Sequence, residues 1–103
     1  MIRLALADDQ HLFRKGMALL LRDMADVHVV LECANGEELL TGLKTMAVDV
    51  VLLDLEMPVL DGTETMKRIR QDLPQVKVII LSTHDEEELI ARLMELGANG
   101  YML

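Results

Sequence analysis

A run of four apolar residues that ends in a carboxylate, Val50 to Asp54 (Val-Val-Leu-Leu-Asp), constrains the fold of this 103-residue chain more than any other feature. An unbroken apolar run containing β-branched residues, followed shortly by Pro58, predicts a strand that is buried on both faces. Such strands occur in parallel sheets, where ligands bind outside the carboxyl ends of the strands. Asp54 is therefore predicted at that edge, although its position alone fits a turn residue or a helix cap equally well.

The same pattern recurs along the chain, with helical segments between the strands. Apolar runs predict further strands over Ile2 to Ala7, His28 to Ala34 and Val76 to Leu81, and a fifth strand begins at Gly100. Apolar residues at helical spacing predict helices over about 10–24, 35–46, 61–73 and 85–96. This alternation implies a doubly wound α/β fold, with a parallel sheet in the order 2-1-3-4-5 and helices on both faces.

Several residues predict where the helices begin and end and which side faces the sheet. Asn35 with Glu38, and Asp61 with Glu64, have the spacing of a capping box, and Gly97 is a helix stop. The first helix is amphipathic, with charged residues such as Arg14 on the side away from the sheet. The apolar side of this helix is predicted to contain Phe13, Met17, Leu20, Leu21 and Met24.

Composition limits the classes of function. Eighteen acidic and ten basic residues give a net charge of −8, which argues against direct binding to nucleic acid and favours a basic or metal-carrying partner. No apolar run approaches the roughly 20 residues that a membrane span needs, and Asp8 and Asp9 interrupt any signal-peptide pattern. We therefore expect a soluble, cytoplasmic protein. Its single cysteine, Cys33, is predicted to be a buried side chain without a disulfide partner.

Carboxylates follow two strands that the predicted sheet order makes neighbours. Asp8 and Asp9 follow the first strand and Asp54 ends the third, so all three converge at one edge. They raise each other's pKa unless a cation neutralises them, and Mg²⁺ suits a site with few protein oxygens. Ser82, at the end of the fourth strand, adds a hydroxyl group. Each residue alone fits a cap or a strand end, but together they favour phosphoryl transfer with Asp54 as the nucleophile.

These residues also resemble the receiver domain of two-component response regulators. The matching segments, in the family's order and spacing, are Leu6 to Asp9, Asn35 to Glu38, Leu52 to Pro58, Asp61-Gly62 and Gly97 to Tyr101. Residues 12–16 and the His after Ser82-Thr83 are similar to the NarL/LuxR subgroup, whose receivers are fused to a helix-turn-helix output domain. The resemblance implies a flavodoxin-like fold over residues 1–103 and a histidine kinase as partner. DNA would be reached only through an output domain that this chain does not contain.

The resemblance implies a role for each acidic residue. Asp54 takes the position of the phosphoacceptor. Asp9 and Asp54 would hold Mg²⁺ together with the backbone carbonyl of Glu56, and Asp8 would hold the ion through a water molecule. The resemblance thus names the same ion and the same carboxylates as the reasoning from the strand ends.

Further roles follow from the same resemblance. Ser82 takes the position of the family's switch hydroxyl, and Tyr101 that of its switch aromatic residue. Glu56 and His84 lie two residues after Asp54 and Ser82, at positions that flank the water that hydrolyses the acyl phosphate. Replacing Glu56 or His84 is therefore expected to alter the lifetime of the phosphate more than its uptake.

Two alternatives come from other classes. Family members continue with a Lys and a last helix, whereas this sequence ends at Leu103, one residue before that Lys. The chain could thus be a truncated receiver fragment, impaired in phosphorylation, that forms a homodimer or a domain-swapped oligomer through the open sheet face. An aspartate-nucleophile phosphatase is disfavoured because that class has an Asp two residues after the nucleophile, where this chain has Glu56.

Overall fold

The computed structural model describes residues 1–55, 62–81 and 87–102. All four strand pairings are parallel, and the five strands lie in the order β2-β1-β3-β4-β5. The predicted doubly wound, flavodoxin-like sheet is confirmed. In chain order the elements are β1 (Ile2–Ala7), α1 (His11–Arg22), β2 (Val27–Cys33), α2 (Gly36–Leu43), β3 (Val50–Asp54), α3 (Gly62–Asp72), β4 (Lys77–Leu81), α4 (Glu87–Glu95) and β5 (Gly100–Met102).

The central strands bury side chains on both faces of the sheet. Along β1, Ala5 and Ala7 belong to one hydrophobic cluster, whereas Leu4 and Leu6 belong to another. Successive side chains of a strand point to opposite faces, so the two clusters lie on opposite sides of the sheet. A central strand that is buried on both faces therefore needs apolar residues at successive positions.

Three helices cover one face of the sheet. Their inward side chains, Leu39 of α2, Met66 and Ile69 of α3, and Leu93 of α4, are completely buried in the larger cluster. Burying a side chain of this size contributes about 1.5–3 kcal/mol relative to leaving it exposed. This face holds the larger of the two clusters of buried hydrophobic residues.

Helix α1 lies on the other face, and there the sequence prediction is partly wrong. Met17 and Leu21 pack against the smaller cluster, but Phe13, Leu20 and Met24 are 44%, 70% and 52% exposed. Helix α1 packs mainly on β2 and β1, and the apolar stripe of the helix is wider than that contact. Met94 of α4 is likewise exposed.

The helix ends follow the predicted signals where the structure describes them. Asn35 Oδ1 accepts a hydrogen bond from the Glu38 amide at 2.9 Å, and Glu38 Oε1 accepts one from the Ala34 amide at 3.2 Å. Gly97 follows α4 with a φ of 112°, a conformation that favours glycine. The predicted cap at Asp61 lies outside the described residues. Helix α2 ends at Leu43, earlier than the predicted end near Met46.

Two further expectations concern the cysteine and the membrane. Cys33 is buried and has no disulfide partner, as predicted, and burial is the main cause that raises the pKa of its thiol to about 11. Within the described parts of the chain, no helix has the length and apolar character needed to cross a bilayer.

Candidate functional site

The sheet register brings two chain segments together at the carboxyl ends of the strands. Ala7, the last residue of β1, pairs with Leu53 of β3, so the next residues, Asp8 and Asp54, lie side by side. Asp54 in turn pairs with Leu81, the last residue of β4. Backbone pairing therefore places Asp54, and the paired residue Ala7 places Asp8, at the carboxyl ends of the central strands.

Three carboxylates converge at this edge. Asp8, Asp9 and Asp54 each offer an oxygen, and these three oxygens all lie within 4.8 Å of one another. Asp8 is buried, Asp54 is partly buried and Asp9 is exposed, so the cluster opens to solvent on one side. The structure thus brings together the three acidic residues that the sequence placed at strand ends.

Burial and neighbouring charges act on Asp8 in opposite directions. Burial is the largest effect, and it raises the pKa of the Asp8 carboxyl group because the charged form loses hydration. The Gln10 amide, which donates to Asp8 Oδ1 at 2.8 Å, lowers the pKa, as do Arg14 and a hydrogen bond with Asp54. The negative charge of Asp9 raises it. An added cation would favour the ionised form of the whole cluster.

The donor set fits a small, hard divalent cation. All three donors are carboxylate oxygens, which suit Mg²⁺, Ca²⁺ or Mn²⁺ better than soft metals. Two oxygens bound to one Mg²⁺ at about 2.1 Å lie at most about 4.2 Å apart. The oxygens of this cluster lie within 4.8 Å of one another, a spacing that suits direct binding by the carboxylates or binding of one of them through a water molecule.

The backbone around Asp8 is held by three neighbours. Its amide donates to the Cys33 carbonyl of β2 at 3.0 Å, and its side chain forms a short turn with Gln10 ahead of α1. Its carbonyl accepts a hydrogen bond from Arg14 Nη1 at 2.5 Å. Asp8 therefore has two roles: its side chain accepts a hydrogen bond in the turn before α1, and its carboxylate is part of the acidic cluster.

Arg14 was missed by the sequence reasoning, which placed it on the solvent side of α1. Its side chain is only 12% exposed and reaches back to the end of β1. The signal was its position in the second turn of the helix that follows Asp8, from which a long side chain can return to the strand end. Helical periodicity alone does not show this because it records which face a residue occupies, not the direction in which its side chain extends.

Gly62, the first residue of α3, packs directly on the end of β3. A Cβ atom added at Gly62 would lie 2.7 Å from the Asp54 carbonyl oxygen and 2.8 Å from the Leu55 Cα atom. The Gly62 amide also donates to the Leu55 carbonyl at 3.2 Å. Only glycine allows α3 to begin this close to the backbone that carries Asp54.

The remaining predicted site residues are placed only in part. Tyr101 is 50% exposed on β5, where it pairs with Ile80 of β4. Glu56, Ser82 and His84 lie outside the described residues. Their roles and that of Tyr101 stay predictions.

A parallel sheet ordered 2-1-3-4-5, with acidic residues clustered where β1 and β3 end, is the arrangement of a flavodoxin-like fold with a candidate cation site, and a solved structure similar to it is a signal receiver domain. Residues 4–103 match the family described as "Response regulator receiver domain", and the chain belongs to that family. The expected resemblance is thus confirmed over essentially the whole sequence.

Known proteins similar to this chain belong to the expected subgroup. The transcriptional regulatory protein LnrK of Bacillus subtilis is 41% identical over 103 residues, which are all of this chain and 47% of LnrK. The chain spans about half the length of the curated relatives it matches. Among solved structures, the receiver domain of NarL from Mycobacterium tuberculosis is 33% identical, with a TM-score of 0.91, over 97% of this chain and 81% of that one.

A third similar protein was solved together with DNA. RcsB from Salmonella enterica serovar Typhimurium, bound to a promoter in the presence of the phosphomimetic BeF3−, is 25% identical with a TM-score of 0.92. The match covers 99% of this chain and 59% of RcsB. The similarity to regulators of the NarL type agrees with the subgroup expected from the sequence.

Proposed function

We propose that Asp54 accepts a phosphoryl group from a phosphohistidine of a histidine kinase. The observation that carries this proposal is the position of Asp54 at the end of β3, partly exposed and with its carboxylate oxygen within 4.8 Å of oxygens from Asp8 and Asp9. Membership of the receiver family supports the same role.

The proposed chemistry is a transfer from nitrogen to oxygen. One oxygen of the Asp54 carboxylate attacks phosphorus, the phosphorus–nitrogen bond breaks, and its electron pair returns to the imidazole ring. Positioning and charge compensation supply most of the catalysis in such transfers. The chain positions Asp54 through the pairing of β3 with β1 and β4.

The cation that fits the cluster is proposed to be Mg²⁺. Asp9, Asp54 and the backbone carbonyl of Glu56 would hold it, with Asp8 acting through water, which agrees with the spacing of the cluster. When bound, Mg²⁺ neutralises the negative charge that the carboxylates and the phosphoryl group bring together.

We further propose that phosphorylation is reported through the ends of β4 and β5. Ser82 follows β4, and Tyr101 lies on the adjacent β5 in register with Ile80. Tyr101 is half-exposed and not packed into the core, which agrees with a switch between two arrangements. Glu56 and His84 are proposed to govern the lifetime of the acyl phosphate.

The output is proposed to be control of transcription in the cytoplasm. The chain spans about half of relatives that are described as transcriptional regulatory proteins, and the similar protein RcsB was solved on a promoter. We therefore propose that residues 1–103 form the receiver unit of a regulator whose DNA contacts are made by a separate output domain. The net charge of −8 agrees with a unit that does not itself bind DNA.

Intact-protein mass spectrometry tests the phosphoacceptor role. The chain is incubated with Mg²⁺ and a small-molecule phosphodonor, beside the variant Asp54→Ala and a sample that contains a chelator. We expect one phosphoryl adduct on the parent with Mg²⁺ and none in either control. An adduct of equal yield on Asp54→Ala, or none on a folded parent that binds Mg²⁺, would contradict the proposal.

A further inference from the structure

The guanidinium group of Arg14 lies behind the acidic cluster and contacts three parts of the chain. Nη1 donates to the Asp8 carbonyl at 2.5 Å, and Nη2 lies 3.1 Å from Nδ1 of His11 on the same helix. Nε is buried 3.8 Å from Glu32 Oε1 of β2 and has no hydrogen-bond partner among the described residues. Arg14 thus connects the loop after β1 with α1 and β2.

The direction of these contacts distinguishes Arg14 from an ordinary surface cation. Lys15, the next residue, pairs with the same Glu32 oxygen at 3.2 Å but has a half-exposed side chain. Arg14 instead directs its planar fork toward a backbone carbonyl and an imidazole nitrogen, and only a guanidinium offers several donors in fixed directions. The Glu32 contact is therefore shared by Arg14 and Lys15, and of these two cations Arg14 is the one that donates to Asp8.

The Asp8 contact completes a set of restraints on one peptide segment. The Cys33 carbonyl holds the Asp8 amide, the Gln10 amide holds its side chain, and Arg14 holds its carbonyl. That carbonyl belongs to the peptide bond that joins Asp8 to Asp9. Rotation of this peptide plane about the Cα bonds on either side of it would turn the Asp9 carboxylate relative to those of Asp8 and Asp54.

We propose that Arg14 is a positioning residue for the cation site, because it fixes the peptide between Asp8 and Asp9 so that their carboxylates face Asp54. The inference rests on the proposed function in so far as that function makes this cluster a Mg²⁺ site. Residues that orient metal ligands without touching the metal often change affinity 10- to 100-fold when they are replaced. The restraint on this peptide comes from the direction of the guanidinium N–H donors of Arg14, and not from its charge alone.

Two substitutions separate geometry from charge. Arg14→Lys keeps the charge and loses the fork, and Arg14→Met loses both. Lys15→Met is the matched control, because it removes one positive charge next to the same Glu32 without touching Asp8. Mg²⁺ affinity of the 103-residue chain is measured by isothermal titration calorimetry, at a temperature where circular dichroism shows all variants folded.

Both Arg14 variants are expected to bind Mg²⁺ about tenfold more weakly than the parent, and Lys15→Met within about twofold of it. Parent-like affinity in Arg14→Lys would overturn the positioning role and leave only a charge effect. A lower melting temperature with unchanged affinity in both Arg14 variants would also overturn it, since a purely structural residue behaves in that way.

A metal-free readout keeps this inference separate from the proposed function. The Asp8 amide donates to the Cys33 carbonyl and the Gln10 amide to Asp8 Oδ1. Hydrogen exchange of these two amides, followed by NMR without metal, is expected to be about threefold faster in both Arg14 variants than in Lys15→Met. Unchanged exchange would overturn the inference even if the parent binds Mg²⁺. A parent that binds no Mg²⁺, together with faster exchange in the Arg14 variants, would refute the metal site and still support the restraint on this peptide.

Discussion

Neutralising Asp54, the proposed phosphoacceptor, is expected to stabilise the metal-free protein. In Asp54→Asn the side chain keeps its size and one oxygen that can accept a hydrogen bond, but it loses its negative charge. The oxygens of Asp8 and Asp54 lie within 4.8 Å of each other, so the two carboxylates repel when both are ionised. Removing one charge removes that repulsion.

The size of the effect follows from the distance and the surroundings. At 4.8 Å, the upper limit of their separation, two unit charges repel by about 3.5 kcal/mol at an effective dielectric constant of about 20, and by about 0.9 kcal/mol in water. Asp8 is buried but the cluster is open on the side of Asp9, so the value lies between these limits. We expect Asp54→Asn to raise the free energy of unfolding by about 1–3 kcal/mol, which is about 4–8 °C in Tm for each kcal/mol.

Urea unfolding followed by circular dichroism measures this effect at neutral pH with a chelator present. Asp26→Asn is the control, because it makes the same change in net charge at an exposed position away from the cluster. Titrating Mg²⁺ then stabilises the parent by about 2.7 kcal/mol at a concentration of 100 times Kd, and Asp54→Asn by clearly less. Equal stability of Asp54→Asn and Asp26→Asn without metal, or equal stabilisation of parent and variant by Mg²⁺, would refute the electrostatic reasoning.

Three further predictions concern packing and pH. Gly62→Ala is expected to lower the free energy of unfolding by about 1–3 kcal/mol, because the clash with the end of β3 exceeds the gain of up to about 1 kcal/mol in helix propensity; unchanged stability in urea would contradict this. Leu39→Ala, which empties a fully buried site, is expected to cost about 2–5 kcal/mol, whereas Leu12→Ala, at an 84% exposed site, should change the same urea midpoint very little. Hydrogen bonds from Arg3 lower the pKa of Asp49 to about 2, so its stabilising contribution is present above its ordinary pKa of 3.8 and is lost as pH falls toward about 2. Asp49→Asn should therefore have a lower free energy of unfolding than the parent at neutral pH. If the difference in free energy of unfolding between the two proteins does not become smaller in acid, the stabilising role of the Arg3–Asp49 pair is contradicted.

The sequence predicted the sheet well because both faces of its central strands are buried. An unbroken run such as Val50 to Leu53 cannot be placed on a solvent-exposed element, and its length is too short for a helix. Asp8 and Asp54 could be placed together because the order of a doubly wound sheet makes their strands neighbours. The observed register then confirmed that these two residues lie side by side.

The errors have a common physical origin. Periodicity placed Phe13, Leu20 and Arg14 by helix face alone. The actual exposure of the two apolar residues depends on where α1 crosses β2 and β1, and the burial of Arg14 depends on a carbonyl at the end of another element. Neither contact is local in sequence, so neither leaves a periodic signal.

By itself the sequence determined the order of strands and helices, the carboxylates at the strand ends, and the family, because these depend on local hydrophobic pattern and on motif spacing. Only the tertiary structure decided that three carboxylate oxygens lie within 4.8 Å, that Gly62 packs on the backbone of Asp54, and that Arg14 holds the Asp8 carbonyl. Distances between side chains of different elements depend on sheet register and helix docking. Those are set by packing across the whole core, which no short stretch of sequence specifies.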